Sequence, residues 1–558
     1  MSQSNQRTGA QLLVECLLLH EVDTVFCVPG ESYLAVLDAL YDARERIRVV
    51  TCRHEAGAAN MAEAYGKLTG RPGICMVTRG PGATHGSVGL HTARQDSTPM
   101  IMFIGQVARG DRGREAFQEI DYGHMLGPLT KWVGEISEAD RVPEYLHRAF
   151  RTATSGRPGP VALSLPEDMQ TDLTGAAPGK RYSPLQAVPR PADIAALQKM
   201  LGEAARPFVL LGGGGWSAGA SADVTRFLTA FDLPAATSFR AADRIDNAHP
   251  CYIGDVGIGV APHLQARLDA SDLVLAIGPR LGEMTTGGYT RIAAPVPQQK
   301  LIHVHPGAEE LGSVYQPDLA VLAGMAEFAA AVAGLTPAKP VPWSEWRAAA
   351  RAEYEARNAA ASSPGALDMI EVMRVVNALT PDDAVMANGA GNYSSWAHSF
   401  FRYRTYGTQL APTSGAMGYG LPAAIAAKLV HPERVVVCLA GDGEFMMTGN
   451  ELATAMQYGL DLTVMIVNNG MYGTIRMHQE RDYPDRIVGT SLVNPDFADF
   501  ARAFGAHGEA VARTEEFEPA FVRALAHPGP SVIELRVDPD TLGPKVTLSG
   551  VKGTGAKR

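Results

Sequence analysis

Short apolar runs, each closed by small or polar residues, recur along the chain, with helix-like stretches between them. Val435-Val436-Val437-Cys438-Leu439-Ala440 stops at Gly441-Asp442-Gly443, and Leu462-Thr463-Val464-Met465-Ile466-Val467 stops at Asn468-Asn469. Apolar residues at successive positions predict strands buried on both faces, as in a parallel sheet covered by helices. Glu451 to Tyr458 predicts a helix between them, so the unit reads strand, helix, strand. The same rhythm opens the chain. Thr24 to Val28 predicts a strand closed by Pro29-Gly30, and Tyr33 to Tyr41 a helix. Val49 to Cys52 predicts a strand closed by Arg53-His54-Glu55, followed by the alanine-rich helix Ala56 to Leu68. Gly73 to Val77 and Met100 to Ile104 predict further strands, the first running into Thr78-Arg79-Gly80-Pro81-Gly82.

The pattern predicts an α/β fold of three doubly wound parallel-sheet domains, spanning residues 8–172, 192–335 and 366–540. Linkers rich in Pro and Gly fall at Thr171 to Pro191 and Leu335 to Trp343, the second followed by a charged helix, Ser344 to Ala361. At 558 residues the chain is too long for one ordinary core. The tail, Lys552 to Arg558, is expected to fray.

Composition narrows the function classes. An apolar fraction of 46% with 19% charged residues describes a folded, soluble chain. A net charge of −10 supplies no basic footprint for nucleic acid. No apolar stretch is long enough to span a membrane, and the polar start, Met1 to Arg7, lacks the apolar core of a signal peptide. The six cysteines form no CxxC pair and read as buried thiols. Together these features predict a cytoplasmic protein.

The candidate chemistry lies at the strand ends. Asp442 and Asn469 are placed just past two parallel strands, where open α/β sheets bind ligands. A carboxylate, an amide oxygen and a nearby carbonyl suit Mg²⁺, with phosphate oxygens and water completing an octahedron. Gly-Asp-Gly alone is a common turn; the spacing, the flanking strands and the ligand types together make it specific. Glu55, alone, would be a carboxylate favoured by a helix start.

Gly441-Asp442-Gly443 with Asn468-Asn469 resembles the signature of thiamine-diphosphate enzymes. Arg53-His54-Glu55-Ala56-Gly57-Ala58-Ala59-Asn60-Met61-Ala62 is similar to the corresponding segment of acetolactate synthases. The resemblance covers nearly the whole chain. It implies a pyrimidine-binding first domain, a Rossmann-like middle domain and a third domain that binds diphosphate and Mg²⁺. It implies that Glu55 shares a proton with the cofactor's aminopyrimidine and that Gln118, in Ala116-Phe117-Gln118-Glu119, faces substrate. It places Pro29 and Gly30 near the cofactor, Ala390, Gly391 and Asn392 in the loop that cradles the diphosphate, and Gly415 and Met417 in the segment that wedges the two rings apart. Gly441, Asp442, Gly443, Glu444, Asn469, Met471, Tyr472 and Gly473 complete the cofactor set, with Asp442, Asn469 and the Met471 carbonyl on the metal. The implied reaction is decarboxylation of a 2-keto acid such as pyruvate with carboligation, in a homodimer or homotetramer with sites at the subunit interface. A non-ligating decarboxylase or another ThDP-dependent lyase is the alternative.

The resemblance has gaps. Glu31 replaces a small residue, Glu167 stands where the synthases have lysine, and His478 occupies the place of a pocket tryptophan. Asn392-Tyr393 stands for the common Gln-His. Lys131 matches but receives no role, and His54, His85 and His478 are expected to be structural. Gly212-Gly213-Gly214-Gly215 fits a dinucleotide turn only weakly, with no acid after the next strand. FAD is left open, because the synthases hold one with this region and Ser155-Gly156-Arg157-Pro158-Gly159, while non-flavin relatives keep similar glycines.

Overall fold

The computed structural model describes residues 6–359, 361–544 and 546–555. The first five residues of the polar start, residue 360 of the charged helix and residues 556–558 of the tail therefore lie outside the described residues. Three six-stranded, wholly parallel sheets dominate. In spatial order the first is Arg48–Thr51, Thr24–Cys27, Gly73–Val77, Met100–Gln106, Pro160–Pro166 and Trp132–Glu135. The second is Tyr252–Val256, Ala235–Ser238, Pro207–Leu211, Leu273–Ile277, Lys300–His305 and Leu319–Leu322. The third is Gln409–Leu410, Val385–Asn388, Val436–Gly441, Thr463–Asn468, Ser531–Arg536 and His507–Val511.

Counting each sheet's strands in chain order, the first and third are both wound 2-1-3-4-6-5, whereas the second is wound 3-2-1-4-5-6. Every residue of Gly73–Val77, Leu273–Ile277 and Val436–Gly441 is buried, as strands covered on both faces require. Each buried Val, Leu or Phe side chain contributes about 1.5–3 kcal/mol. In each sheet the winding reverses beside the first strand, and that reversal leaves a crevice beyond the carboxyl ends of two neighbouring strands. In the first sheet those strands are Thr24–Cys27 and Gly73–Val77; in the third, Val385–Asn388 and Val436–Gly441; in the second, Pro207–Leu211 and Leu273–Ile277.

The chain divides into two compact units. One runs through Leu185 with Ile425–Val430 and holds the first sheet. Its linker begins with Leu173–Thr174 paired antiparallel to Arg7–Thr8. The other, Gln186–Ala424 with His431 onward, holds the second and third sheets. Within it, Asp243 Oδ2 accepts the N–H groups of Gly407, Thr408 and Gln409 at 3.0, 3.2 and 3.2 Å. Ala242 N–H in turn donates to Gln409 Oε1 at 2.7 Å, so the middle sheet's 242–247 segment fixes the entry to the third sheet.

Two local expectations need correction. The stretch 451–458 is a 3₁₀ turn, Gly449–Glu451, followed by a helix of only Leu452–Gln457. The described part of the tail is tied down: Gly553 and Gly555 N–H donate to the Glu480 and Arg481 carbonyls, and Lys552 pairs with Asp485. No helix among the described residues is long and apolar enough to cross a membrane.

Candidate active site

The third sheet's reversal point is built from two turns. Gly441 ends a strand and Asp442 begins the helix Asp442–Thr448, so the motif is a helix start rather than a free turn. Asp442 is 3% exposed. Its Oδ1 accepts Gly443 N–H at 2.9 Å, and its Oδ2 accepts Gly470 N–H at 2.9 Å and Asn494 Nδ2 at 2.8 Å. These donors are all neutral, and burial raises the Asp442 pKa above the usual carboxylate value despite them. A divalent cation would supply the positive charge that this buried carboxyl lacks, so the residues fit Mg²⁺. Asn469 follows the strand Thr463–Asn468, and its Oδ1 accepts Met471 N–H at 3.3 Å. Gly473 opens the next helix, and a Cβ there would stand 3.0 Å from Asn469 Nδ2. The Tyr472 ring packs where a Cβ on Gly443 would sit, 2.6 Å away.

The opposing turn carries Ala390, Gly391 and Asn392, all half-buried. Asn392 N–H donates to Thr474 Oγ1 at 3.0 Å, and that hydroxyl donates to Asn392 Oδ1 at 3.0 Å. Tyr393 joins the two turns. Gly389 N–H donates to its hydroxyl at 3.1 Å, the hydroxyl donates to Glu444, and its ring lies 2.8 Å from a Cβ on either Gly391 or Gly441. Glu444 is buried against the Tyr393 hydroxyl, and burial pushes its carboxyl up to about 8. Gly415 adopts φ +73, and Met417 is half-buried rather than part of the core.

The first sheet's reversal point gathers a second set. A Cβ on Gly30, in the Pro29-Gly30 turn, would stand 2.5 Å from the Thr78 Cβ. Glu55 begins the helix Glu55–Thr69, capped by His54 Nδ1, which accepts Ala56 N–H at 3.0 Å. The Glu55 side chain is 13% exposed and meets His85 Nδ1 at 3.1 Å. His54 and His85 stack at 4.7 Å, so two histidines expected to be structural stand beside Glu55; His478 is exposed on the helix Gly473–Asp482. Gln118 is half-buried at φ +65 over Gly80, whose N–H donates to the Tyr122 hydroxyl at 2.9 Å. Glu167 does not present a bare reversed charge to a channel, because Arg79 pairs with it. Lys131 Nζ donates to the Thr152, Ser155 and Arg157 carbonyls, closing the end of the helix Val142–Thr154.

The middle sheet's reversal point is closed. A Cβ on Gly213 would lie 1.9 Å from the Gly278 carbonyl oxygen, and one on Gly278 2.3 Å from the Gly212 oxygen. Trp216 Nε1 donates to that Gly212 oxygen at 2.7 Å. The glycine run is thus explained by two backbones in contact. Arg157 donates to the Arg94 carbonyl and Ser97 Oγ.

Parallel α/β domains with a buried carboxylate at one strand end and a paired glutamate at another define a class. The chain belongs to the thiamine pyrophosphate enzyme family, whose N-terminal TPP binding, central and C-terminal TPP binding domains match residues 7–125, 194–332 and 389–535. Among its relatives is an acetolactate synthase of Arthrospira platensis, 31% identical over 96% of this chain and 94% of that one. The isozyme 2 large subunit of acetolactate synthase from Escherichia coli K12 is 31% identical over 95% of each chain. The acetolactate synthase large subunit of Parasynechococcus marenigrum is 32% identical over 95% of this chain and 87% of that one.

Sequence reasoning missed Asn494, which donates to Asp442 and, at 3.0 Å, to Asn468 Oδ1. It lies in an irregular stretch with no periodicity to flag it. Thr474 and Tyr122 were missed likewise; each acts through a single hydroxyl.

Proposed function

We propose that the chain is a thiamine-diphosphate- and Mg²⁺-dependent enzyme that decarboxylates a 2-keto acid, pyruvate first among candidates, and ligates the remaining fragment to a carbonyl acceptor. The observation that carries this reading is Asp442: a carboxyl 3% exposed, met by neutral donors, beside Asn469 at the ends of adjacent strands. Asp442, Asn469 and the Met471 carbonyl would hold Mg²⁺, while the turn of Ala390, Gly391 and Asn392 would lie against the diphosphate, with Gly391 offering a backbone donor. Tyr393 and Glu444 keep those two turns in register. Glu55 would hold a proton at the pyrimidine ring nitrogen, and Gln118 would orient the keto acid. Bound thiamine diphosphate supplies the carbon nucleophile and the electron sink for decarboxylation.

In this proposal Glu55 of one copy and Asp442 of a second copy serve one cofactor, so the active form is a dimer or a pair of dimers. FAD is assigned no role. A reducing cytoplasm suits six free, buried cysteines. The test is direct. Purified protein with thiamine diphosphate, Mg²⁺ and pyruvate should release carbon dioxide and form acetolactate. Acetaldehyde alone would replace ligation with simple decarboxylation, and the absence of cofactor-dependent turnover of any 2-keto acid would overturn the reading.

A further inference from the structure

The 78–82 turn serves both side chains proposed to act from the first sheet. A Cβ on Gly82 would lie 3.4 Å from Glu55 Oε1, and one on Gly80 would meet the Gln118 Cβ and carbonyl oxygen at 2.8 Å. Between them stands Arg79, only 8% exposed. Its Nε donates to the Phe117 carbonyl at 3.1 Å, one Nη pairs with Glu167, and the other lies 3.6 Å from Glu31. Its backbone N–H donates to Ser32 Oγ at 3.2 Å, and that hydroxyl meets Thr78 Oγ1 at 2.8 Å. Two edges of the guanidinium are thus hydrogen-bonded, and the third faces the exposed Glu31 carboxylate.

The segment that Arg79 grips is strained. Gln118 lies in the left-handed region at φ +65, and Glu115 at φ +53. A non-glycine residue persists there only where its surroundings over-determine it, and such residues concentrate at functional sites. Gly80 removes the Cβ that would collide with Gln118, and the Arg79 fork fixes the preceding carbonyl. A lysine could not do this, because it has no planar, multi-directional set of donors. A guanidinium this buried also needs paired charge. Glu167 and Glu31 provide it.

We infer that Arg79, braced by Glu31 and Glu167, is a positioning residue that holds the Phe117-Gln118 peptide in its left-handed turn and so sets keto-acid recognition by Gln118. The consequence for recognition rests on the function proposed above; the consequence for the turn does not. Two measurements on the thiamine-diphosphate- and Mg²⁺-loaded protein separate them. By hydrogen-exchange mass spectrometry, Arg79→Lys should speed exchange in residues 113–120 about tenfold and leave the helix Glu55–Thr69 unchanged. Should Arg79→Lys fail to fold, Glu167→Gln should show the same change at about threefold. Unchanged exchange in 113–120 would overturn the inference, whatever the substrate. With pyruvate, Arg79→Lys should raise KM about tenfold and lower kcat less than threefold. Gln118→Ala should do the same, and the double variant should be no worse than Gln118→Ala alone, because both remove one interaction. Additive losses would mean that Arg79 does not act through Gln118. Absence of turnover in the wild type, with the exchange result intact, would sink the proposed reaction and spare the positioning role.

Discussion

The outer sheets share a winding order and the middle sheet has another, yet all three place glycines on facing turns at the reversal of the winding. In the outer two, a Cβ on Gly441 or Gly389 would strike a side chain, Tyr393 or Glu444, and one on Gly80 would meet both the Cβ and the carbonyl oxygen of Gln118. In the middle one, a Cβ on Gly213 would strike the Gly278 carbonyl, and one on Gly212 the Ser238 hydroxyl. The same residue type therefore does two jobs. Gly389 and Gly441 make room for the Tyr393–Glu444 pair that joins two turns, whereas Gly213 and Gly278 let two backbones touch. Buried carboxyls divide similarly. Asp442, in the third sheet's crevice, meets neutral donors that leave a place for a cation. Asp255, in the middle sheet's edge strand, is raised to about 7 by burial, with Arg291, Arg240 and Arg357 opposing the shift.

Five substitutions can break or sharpen this contrast. The largest effect falls on Glu55: Glu55→Gln should lower kcat about 10³-fold while thiamine diphosphate still binds, as calorimetry can check. Gly213→Ala comes next. Its Cβ meets a carbonyl and its φ of +72 disfavours a side chain, so unfolding should ease by about 3 kcal/mol with cofactor affinity unchanged. A large loss of affinity instead would open the middle crevice to a ligand. Asp442→Ala should weaken cofactor retention about 100-fold and Asn494→Ala about tenfold, read by titration with Mg²⁺ present.

The smallest effect depends on pH. Asp255 binds its proton more tightly when folded than its ordinary value of 3.8, so its contribution to stability declines as pH rises towards 7 and is least favourable above it. Asp255→Asn should therefore stabilise by about 2 kcal/mol at pH 8 and change little near pH 4, as denaturant titrations at both pH values would reveal.

Much of this was legible in the sequence because parallel strands covered on both faces are continuous apolar runs. Val436 to Ala440 and Gly73 to Val77 could be placed within a residue on that ground. Asp442 and Asn469 stood out because each closely follows such a run, whereas Glu55 stood out only through the resemblance of its segment. What could not be read was whatever depends on distant segments meeting. Glu31 and Glu167 stood out singly, but their pairing with Arg79, 48 and 88 residues away in sequence, is visible only once the fold joins them. Asn494 donates to Asp442 across 52 residues of chain. Winding order was equally hidden, since the outer and middle domains present the same strand–helix rhythm and differ only in which strands become neighbours.

The central claim is that the outer sheets of two copies serve one cofactor, and mixing two inactive variants tests it most directly. Glu55→Gln and Asp442→Ala proteins, dissociated together and reassembled, should regain about one quarter of wild-type activity, because half the dimers are hybrids and each hybrid keeps one intact site. No recovery, with hybrids demonstrated by mass, would mean that the two residues work within one chain or not together at all.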